Sequence, residues 1–279
     1  MAWSGWWGGR SARRRALLVG VLACCVLAAV VVAVRLSSGG DSAVPAGYPD
    51  QSTPGPVVLV PGYGGNTSAL NSLAEKIRAT GRSAEVLPLP DGGTGDLTVQ
   101  VRALSSAVAR ELAGGAASVD VVGYSAGGVV ARLWVAQDGG AHEARRIVTL
   151  GSPLHGARIA AVGANLVPGA CPTACQQLAP GSALLRQLDA QPLPTELPWL
   201  SLWSEDDQTV TPPDSARLAG AVNVPVQQVC PAEQVAHAQL PTDPLVTGIV
   251  LAALSETAVT APNPAQCQAL LARGRGQHG

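Results

Sequence analysis

The sequence predicts an α/β domain in which a mostly parallel sheet of about six strands carries helices on both faces. From residue 56 onward, short apolar runs rich in β-branched residues alternate with amphipathic stretches. That alternation is typical of βαβ units, in which the connected strands are parallel. A chain of 279 residues is long enough for one sizeable domain with its own hydrophobic core.

Each element is recognisable from its periodicity and from the residues at its ends. The predicted strands are "PVVLVPG", "SAEVLPLP", "SVDVVGY", "RRIVTLGSP", "LPWLSLWS" and "VPVQQVC". One predicted helix begins at Thr67 and stops at Gly81, a second is capped by Asp96 and ends at Gly114, and a third follows "SVDVVGY". Residues 153–180 interrupt this rhythm with small residues and two cysteines. We expect a cap-like insertion over the sheet edge there, closed by a short disulfide loop.

The N-terminal segment predicts export of the domain. Four arginines in residues 10–15 precede an uncharged run of nineteen apolar or small residues, 16–34. Such a run just spans a hydrocarbon core, and the arginine excess predicts a cytoplasmic basic region at residues 1–15 with the rest of the chain outside. We interpret residues 16–34 as a signal anchor. A cleaved signal peptide and a lipobox ending at Cys24 are the alternatives, and each also exports the body.

A linker separates this segment from the domain. Residues 35–55 are rich in Ser, Gly and Pro and show no periodic apolar pattern. Such a composition is typical of a flexible spacer. We therefore assign residues 35–55 to a linker and residues 56–279 to the α/β domain.

Export changes how the cysteines are interpreted, because disulfides form outside the cytoplasm. Two cysteines lie inside the apolar run, where they are small hydrophobic residues, and four remain. An even number indicates two disulfides in one of three pairings, and proximity favours Cys171–Cys175 and Cys230–Cys267. A zinc site is the alternative, but the C-x-x-x-C spacing has no nearby histidine partner.

The stretch "VDVVGYSAGGVVARLWV" places Ser125 at an abrupt turn between a strand and a helix. A nucleophile at such an elbow needs a strained backbone that points its Oγ outward, and small residues two positions before and after it. Gly123 and Gly127 meet that requirement. Since the chain contains 32 glycines, the G-x-S-x-G motif alone is weak and its context must decide.

The first part of that context is a pair of backbone donors for an oxyanion. The stretch "LVPGYGGN" is an apolar strand followed by a glycine-rich turn. A site with a nucleophile at such an elbow takes one oxyanion donor from the loop after an earlier strand, which is where this stretch lies. The other donor is the N–H of the residue after the nucleophile. We expect the donors to be the N–H groups of Tyr63 and Ala126. An ordinary strand-to-helix turn would explain the same glycines equally well.

An acid and a histidine complete the context. Asp206 and Asp207 follow the strand "LPWLSLWS", and His237 follows the last predicted strand. Taken singly, these residues are also compatible with a polar loop and a solvated histidine. Together they occur in the chain order Ser, Asp, His, each after a separate strand, which is the order found in the fold that carries its nucleophile at such an elbow. The sequence therefore predicts Ser125 as a nucleophile and His237 as its base.

These segments resemble a known family. The stretches "LVPGYGGN", "VDVVGYSAGG", "VTLGSPLHGA", "LWSEDDQTVTPPDSARL" and "VAHAQLPTD" are similar to the compact secreted bacterial lipases and esterases of the α/β-hydrolase superfamily (lipase class 2). The similarity covers about residues 55–255. It implies Asp207 as the acid, because residues 204–210 fit the family pattern S-x-x-D-x-x-V.

The chain departs from the family pattern at two places. Pro61-Gly62 stands where the family frequently has His-Gly, which leaves the backbone donor in place. After "GSP" the family usually has two histidines, and Leu154 replaces one of them. We therefore interpret His155 as a structural residue and not as the base.

The resemblance implies a serine hydrolase that cleaves lipid or shorter carboxylic esters through an acyl-enzyme. A membrane-tethered acyltransferase or thioesterase would use the same residues, and a non-catalytic binding module on a hydrolase fold is a further alternative. We expect no metal or organic cofactor. The near balance of 18 basic and 19 acidic residues argues against a nucleic-acid partner. We expect a monomer outside the cytoplasm, either anchored in the membrane through residues 16–34 or secreted after signal cleavage.

Overall fold

The computed structural model describes Leu22 and residues 47–166, 171–255 and 258–277. The chain divides into two units, Met1–Val44 and Pro45–Gly279. Apart from Leu22, the predicted basic region and the apolar run 16–34 lie outside the described residues. Within the described residues, no helix is both long and apolar enough to cross a membrane.

The described residues contain one sheet of six strands, all parallel, in the order β2-β1-β3-β4-β5-β6. The strands are β1 Val57–Val60, β2 Ala84–Val86, β3 Val119–Tyr124, β4 Ala144–Leu150, β5 Trp199–Trp203 and β6 Val222–Pro225. The predicted fold class is therefore confirmed. The strand order reverses at β1, with β2 on one side and β3 on the other, and such a reversal opens a crevice at the carboxyl ends of the strands.

Helices cover both faces of the sheet. They are α1 Ser68–Arg78, α2 Leu97–Ala113, α3 Ala126–Gln137, α4 Gly140–Glu143, α5 Arg158–Leu166, α6 Thr173–Gln177, α7 Ala183–Asp189, α8 Val226–Val229, α9 Pro244–Ala253 and α10 Cys267–Arg275. Alternate residues of β1 face opposite sides: Val58 and Val60 pack with α2 and α3, whereas Val57 and Leu59 pack with α1, α9 and α10. Burial on both faces explains why the strands are almost continuously apolar.

The helix starts agree with the sequence prediction, and α2 ends at its C-cap Gly114 as expected, whereas α1 ends at Arg78, three residues before Gly81. Thr67 is the N-cap of α1, and the Asp96 carboxylate caps α2 by accepting a hydrogen bond from the Thr98 N–H at 2.8 Å. One predicted strand is wrong in part, because "VQQV" forms the short helix α8 after β6. Pro225 lies at this change and has no N–H with which to continue a ladder.

A buried ion pair fixes the amino ends of the strands. The Arg145 guanidinium donates to the Asp120 carboxylate at 3.0 Å, and also to the backbone oxygens of Gln51 at 3.0 Å and Ser255 at 3.1 Å. Buried guanidinium N–H groups need such acceptors. The chain before β1 and the chain after α9 are therefore both tied to the sheet. The contacts of the domain thus extend back to Gln51, which lies within the range that the composition assigns to a linker.

Candidate active site

Ser125 lies at the sharp turn between β3 and α3. Its backbone has φ 53° and ψ −125°, a left-handed conformation that side chains rarely adopt. A Cβ on Gly127 would lie 2.2 Å from the backbone oxygen of Val60, and a Cβ on Gly123 would lie 2.6 Å from the Cα of Gly128. Only glycine fits at either position, so the strand and the helix approach as closely as the elbow requires.

Two side chains form a hydrogen-bonded relay with Ser125. The His237 Nε2 atom lies 3.0 Å from the Ser125 Oγ, and the His237 Nδ1 atom lies 2.6 Å from the Asp207 Oδ2. With the proton on Nδ1, the imidazole donates to the carboxylate and accepts from the serine hydroxyl. Both the carboxylate and the imidazole are buried. This arrangement is able to move a proton from Ser125 to His237.

The loop after β5 holds Asp207 in place. Its Oδ1 atom accepts hydrogen bonds from the Thr209 and Val210 N–H groups, both at 2.8 Å. The Oδ2 atom is thereby left to face the imidazole. Asp206 does not enter the relay, because its side chain is exposed and accepts a hydrogen bond from Gln227 at 3.1 Å.

His155 lies apart from this relay. Its Nδ1 atom is 2.9 Å from the Asp189 carboxylate, and its Nε2 atom is 2.9 Å from the backbone oxygen of Arg217. Both ring nitrogens are thus engaged with acceptors between α7 and the loop before β6. The contacts join the end of α7 to the loop before β6, a structural role.

The predicted oxyanion donors lie beside Ser125. Tyr63 and Ala126 line the same cavity as the serine, and Ala126 is the first residue of α3, so its N–H has no acceptor within the helix. The loop after β1 presses against the nucleophile, since a Cβ on Gly62 would lie 2.9 Å from the Ser125 Cβ. The two N–H groups thus belong to the two chain segments that meet at the serine.

The cavity next to Ser125 has a volume of about 220 Å³ and a largely apolar lining. Apart from Ser125 and the two predicted donors, the residues that line it are Pro153, Ala157, Ile159, Ala160, Cys175, Leu178, Thr209 and Val210. Most of them come from the insertion at residues 153–180, which follows the central strand β4. Such a lining accommodates a hydrocarbon group and places it beside the hydroxyl of Ser125.

Sequence reasoning missed Tyr124, which precedes the nucleophile. Its hydroxyl donates to the backbone oxygen of His237 at 3.2 Å, and its ring centroid lies 5.2 Å from that of the imidazole. Burial and the charge of Asp207 raise the pKa of Tyr124 to about 12. The position of Tyr124 inside the G-x-S-x-G motif was the only signal in the sequence, and it gave no indication that the hydroxyl would contact His237.

Gly151 is a second missed residue, at the end of β4. A Cβ there would lie 3.2 Å from both the Asp207 Oδ2 and the His237 Nδ1, and only 2.5 Å from a methyl group of Leu240. Its φ is 54°, which also favours glycine. The "GSP" stretch therefore packs directly against the acid–base pair.

The structure contains both predicted disulfides, Cys171–Cys175 and Cys230–Cys267. Bonded cysteines are not available as zinc ligands, and the described residues contain no group of three or more His, Cys, Asp or Glu able to hold a metal ion. Two disulfides indicate a protein outside the reducing cytoplasm. The second bridge joins the segment between α8 and His237 to α10.

Comparison with known proteins agrees with this architecture. The mature lipase BlEst2 of Bacillus licheniformis superposes with a TM-score of 0.51 at 22% identity, over 64% of this chain and 85% of the lipase. Lipase B of Aspergillus fumigatus superposes with a TM-score of 0.59 at 17% identity, over 84% of this chain and 65% of that lipase. The chain has the α/β-hydrolase fold.

A comparison of sequences matches part of this chain to one family. The model of the palmitoyl protein thioesterase family matches residues 56–187, which is just under half of the chain. Among curated proteins, none matches the chain significantly. The matched residues include Ser125 and the insertion, but they end before the strand that precedes Asp207.

Proposed function

We propose that this α/β-hydrolase is a serine hydrolase that cleaves carboxylic esters with apolar acyl groups through an acyl-enzyme. The observation that carries the proposal is the relay from the Ser125 Oγ through His237 to Asp207, with distances of 3.0 and 2.6 Å, beside an apolar cavity. The similarity to two lipases supports it. A non-catalytic binding module would not require this relay.

In the first half-reaction, His237 accepts the hydroxyl proton as the Ser125 Oγ attacks the ester carbonyl carbon. The carbonyl oxygen becomes an oxyanion, which the N–H groups of Tyr63 and Ala126 stabilise. Asp207 holds the imidazole in the required tautomer and stabilises its charged form. The ester C–O bond then breaks, His237 returns its proton to the leaving alkoxide, and the acyl group remains on Ser125.

In the second half-reaction, water takes the place of the alcohol. His237 removes a proton from the water as its oxygen attacks the acyl carbon, and the oxyanion forms again between the same two donors. Collapse breaks the bond to the Ser125 Oγ, which recovers the proton from His237. The products are the carboxylic acid and the free enzyme.

A thioester is the second candidate substrate, and the match to the palmitoyl protein thioesterase family supports it. The attacking residues would be the same. A thiolate is a better leaving group than an alkoxide, so the first half-reaction would depend less on proton return from His237.

The proposed location is outside the cytoplasmic membrane. Residues 16–34 would act as a signal anchor or a cleaved signal peptide, with the basic residues 1–15 on the inner side. The domain from Gln51 onward would act there as a monomer on lipid or shorter esters. The two disulfides support this location.

Hydrolysis of p-nitrophenyl esters from acetate to palmitate by the full chain tests the proposal, with Ser125→Ala as the control. We expect activity that the variant lacks, together with fluorophosphonate labelling of Ser125 in the wild-type protein alone. Acyl-coenzyme A substrates, followed by released thiol, separate the thioesterase from the esterase. A folded wild-type protein with neither turnover nor labelling would contradict the proposal.

A further inference from the structure

The loop Cys171–Cys175 lies at the wall of the cavity beside Ser125. Cys175 lines that cavity together with Ala160 of α5 and Leu178 after α6. Cys171 is almost fully buried, with 5% exposure. The disulfide thus lies at the wall of the apolar cavity, with Cys175 in the lining and Cys171 buried behind it.

Helix α5 rests directly on the two sulfur atoms. A Cβ on Gly163 would lie 3.1 Å from the Cys175 Sγ and 3.7 Å from the Cys171 Sγ. The backbone of α5 therefore lies against the disulfide, and a side chain at residue 163 would crowd the Cys175 sulfur. The sulfur pair acts as a spacer between α5 and α6.

Helix α6 is held to the body of the domain by contacts that do not involve the sulfur atoms. The Gln177 side chain accepts from the Leu97 N–H and donates to the Asp96 carboxylate, both at 2.8 Å. The Ala174 N–H donates to the backbone oxygen of Thr94 at 3.2 Å. Helix α6 is thereby fixed to the N-terminus of α2, and it provides a firm base for the loop.

Among the residues that the structure describes, helix α5 has fewer such contacts. At its first turn, the Arg158 N–H donates to the backbone oxygen of Thr211 at 2.9 Å. On its outer face, Ile159 and Val162 are exposed by 62% and 54%. The contact between Gly163 and the sulfur pair is therefore one of the contacts that position α5 beside the cavity.

We propose that the Cys171–Cys175 disulfide determines the acyl-chain preference of the enzyme by positioning α5 as one wall of the acyl-binding cavity. The inference rests on the proposed function, since it assigns the acyl group of the ester to this cavity. We expect a short acetyl group to fill only the part of the cavity next to Ser125, away from Ala160 and Cys175. A longer unbranched chain contacts the wall that these two residues form, so its binding depends on where α5 stands.

The test compares two full-length variants that each lack one disulfide. Cys171→Ser/Cys175→Ser removes the loop bridge, and Cys230→Ser/Cys267→Ser removes the bridge away from the cavity as a matched control. For each protein, kcat/KM is measured on p-nitrophenyl acetate and on p-nitrophenyl octanoate. We expect the octanoate-to-acetate ratio to fall by about fivefold or more in the loop variant, since each well-packed methylene contributes a factor of that order.

The control variant should keep the wild-type ratio even if its overall activity falls. The inference is overturned if the loop variant keeps the wild-type ratio to within about twofold, if the ratio rises, or if the control shifts it equally. Should the loop variant fail to fold, dithiothreitol treatment of the folded control variant breaks only the loop bridge and gives the same comparison. A wild-type protein inactive on every ester would instead contradict the proposed function.

Discussion

The hydroxyl group of Tyr124 lies 3.2 Å from the backbone oxygen of His237, so the residue that precedes the proposed nucleophile also holds the proposed base. Tyr124 is the last residue of β3 and Ser125 follows it, whereas His237 comes 113 residues after Tyr124. One strand end therefore positions both members of the proton-transfer pair. This coupling keeps the distance from the Ser125 Oγ to the His237 Nε2 at 3.0 Å.

We expect Tyr124→Phe to lower kcat by about tenfold while KM stays nearly unchanged, because misplacing a catalytic group costs rate and not substrate binding. The phenyl ring retains the packing against the imidazole, so only the hydrogen bond is lost. Steady-state kinetics on a short ester measure the effect. Equal kcat values for the two proteins would show that the hydroxyl does not position His237.

The same hydroxyl predicts a loss of stability at high pH. Burial and the charge of Asp207 raise the pKa of Tyr124 to about 12 in the folded protein, whereas an unfolded tyrosine titrates near 10. The folded state therefore binds this proton more tightly, and the resulting stability is complete below about pH 10 and declines as the pH rises to about 12. Urea unfolding should show this decline in the wild-type protein and a smaller one in Tyr124→Phe. Parallel curves would contradict the prediction.

Asp207→Asn should reduce kcat by about 10⁴-fold, because an amide favours the wrong imidazole tautomer and cannot stabilise its charged form. Asp206→Asn is the matched control, since that side chain is exposed and lies outside the relay. We expect the control to stay within about twofold of the wild-type rate. A comparable loss of kcat in both variants would show that the rate depends on the conformation of the loop and not on the Asp207 carboxylate.

The sequence was sufficient to predict the sheet and to place three residues after separate strands. Periodicity and capping residues act locally, so Thr67 and Asp96 marked helix starts that the structure reproduces within one residue. The choice of Asp207 over Asp206 came from the family pattern. The structure gives its physical reason, because the N–H groups two and three residues later hold one oxygen of Asp207.

The remaining features depend on partners that no local pattern shows. Tyr124 meets His237 only after folding, and Gln51 meets Arg145 across 94 residues. A Ser-, Gly- and Pro-rich composition therefore suggested a linker for a range in which the Gln51 backbone oxygen accepts a hydrogen bond from the buried Arg145. The strand predicted for "VPVQQVC" is wrong only after Pro225, since an apolar run this short does not distinguish a strand from a helical turn.

Gly127→Ala should destabilise the domain and abolish most of its activity. The new methyl group would lie 2.2 Å from the backbone oxygen of Val60 and 2.6 Å from that of Pro61, so β1 and α3 would have to separate. Overpacking of this kind costs about 2–3 kcal/mol, which corresponds to a fall in Tm of roughly 5–10 °C for a domain of this size. Separation also moves the Ser125 Oγ away from the His237 imidazole.

Gly47→Ala is the control for Gly127→Ala, because nothing lies within 4 Å of its Cβ position and its added methyl group points into open space. Differential scanning calorimetry and ester hydrolysis on both variants check the expectation. The control should match the wild-type protein in Tm and kcat, whereas Gly127→Ala should have a lower Tm and a much lower kcat. An unchanged Tm in Gly127→Ala would contradict the predicted loss of stability. If activity were lost all the same, the close contact between β1 and α3 would serve the geometry of Ser125 and not the stability of the fold.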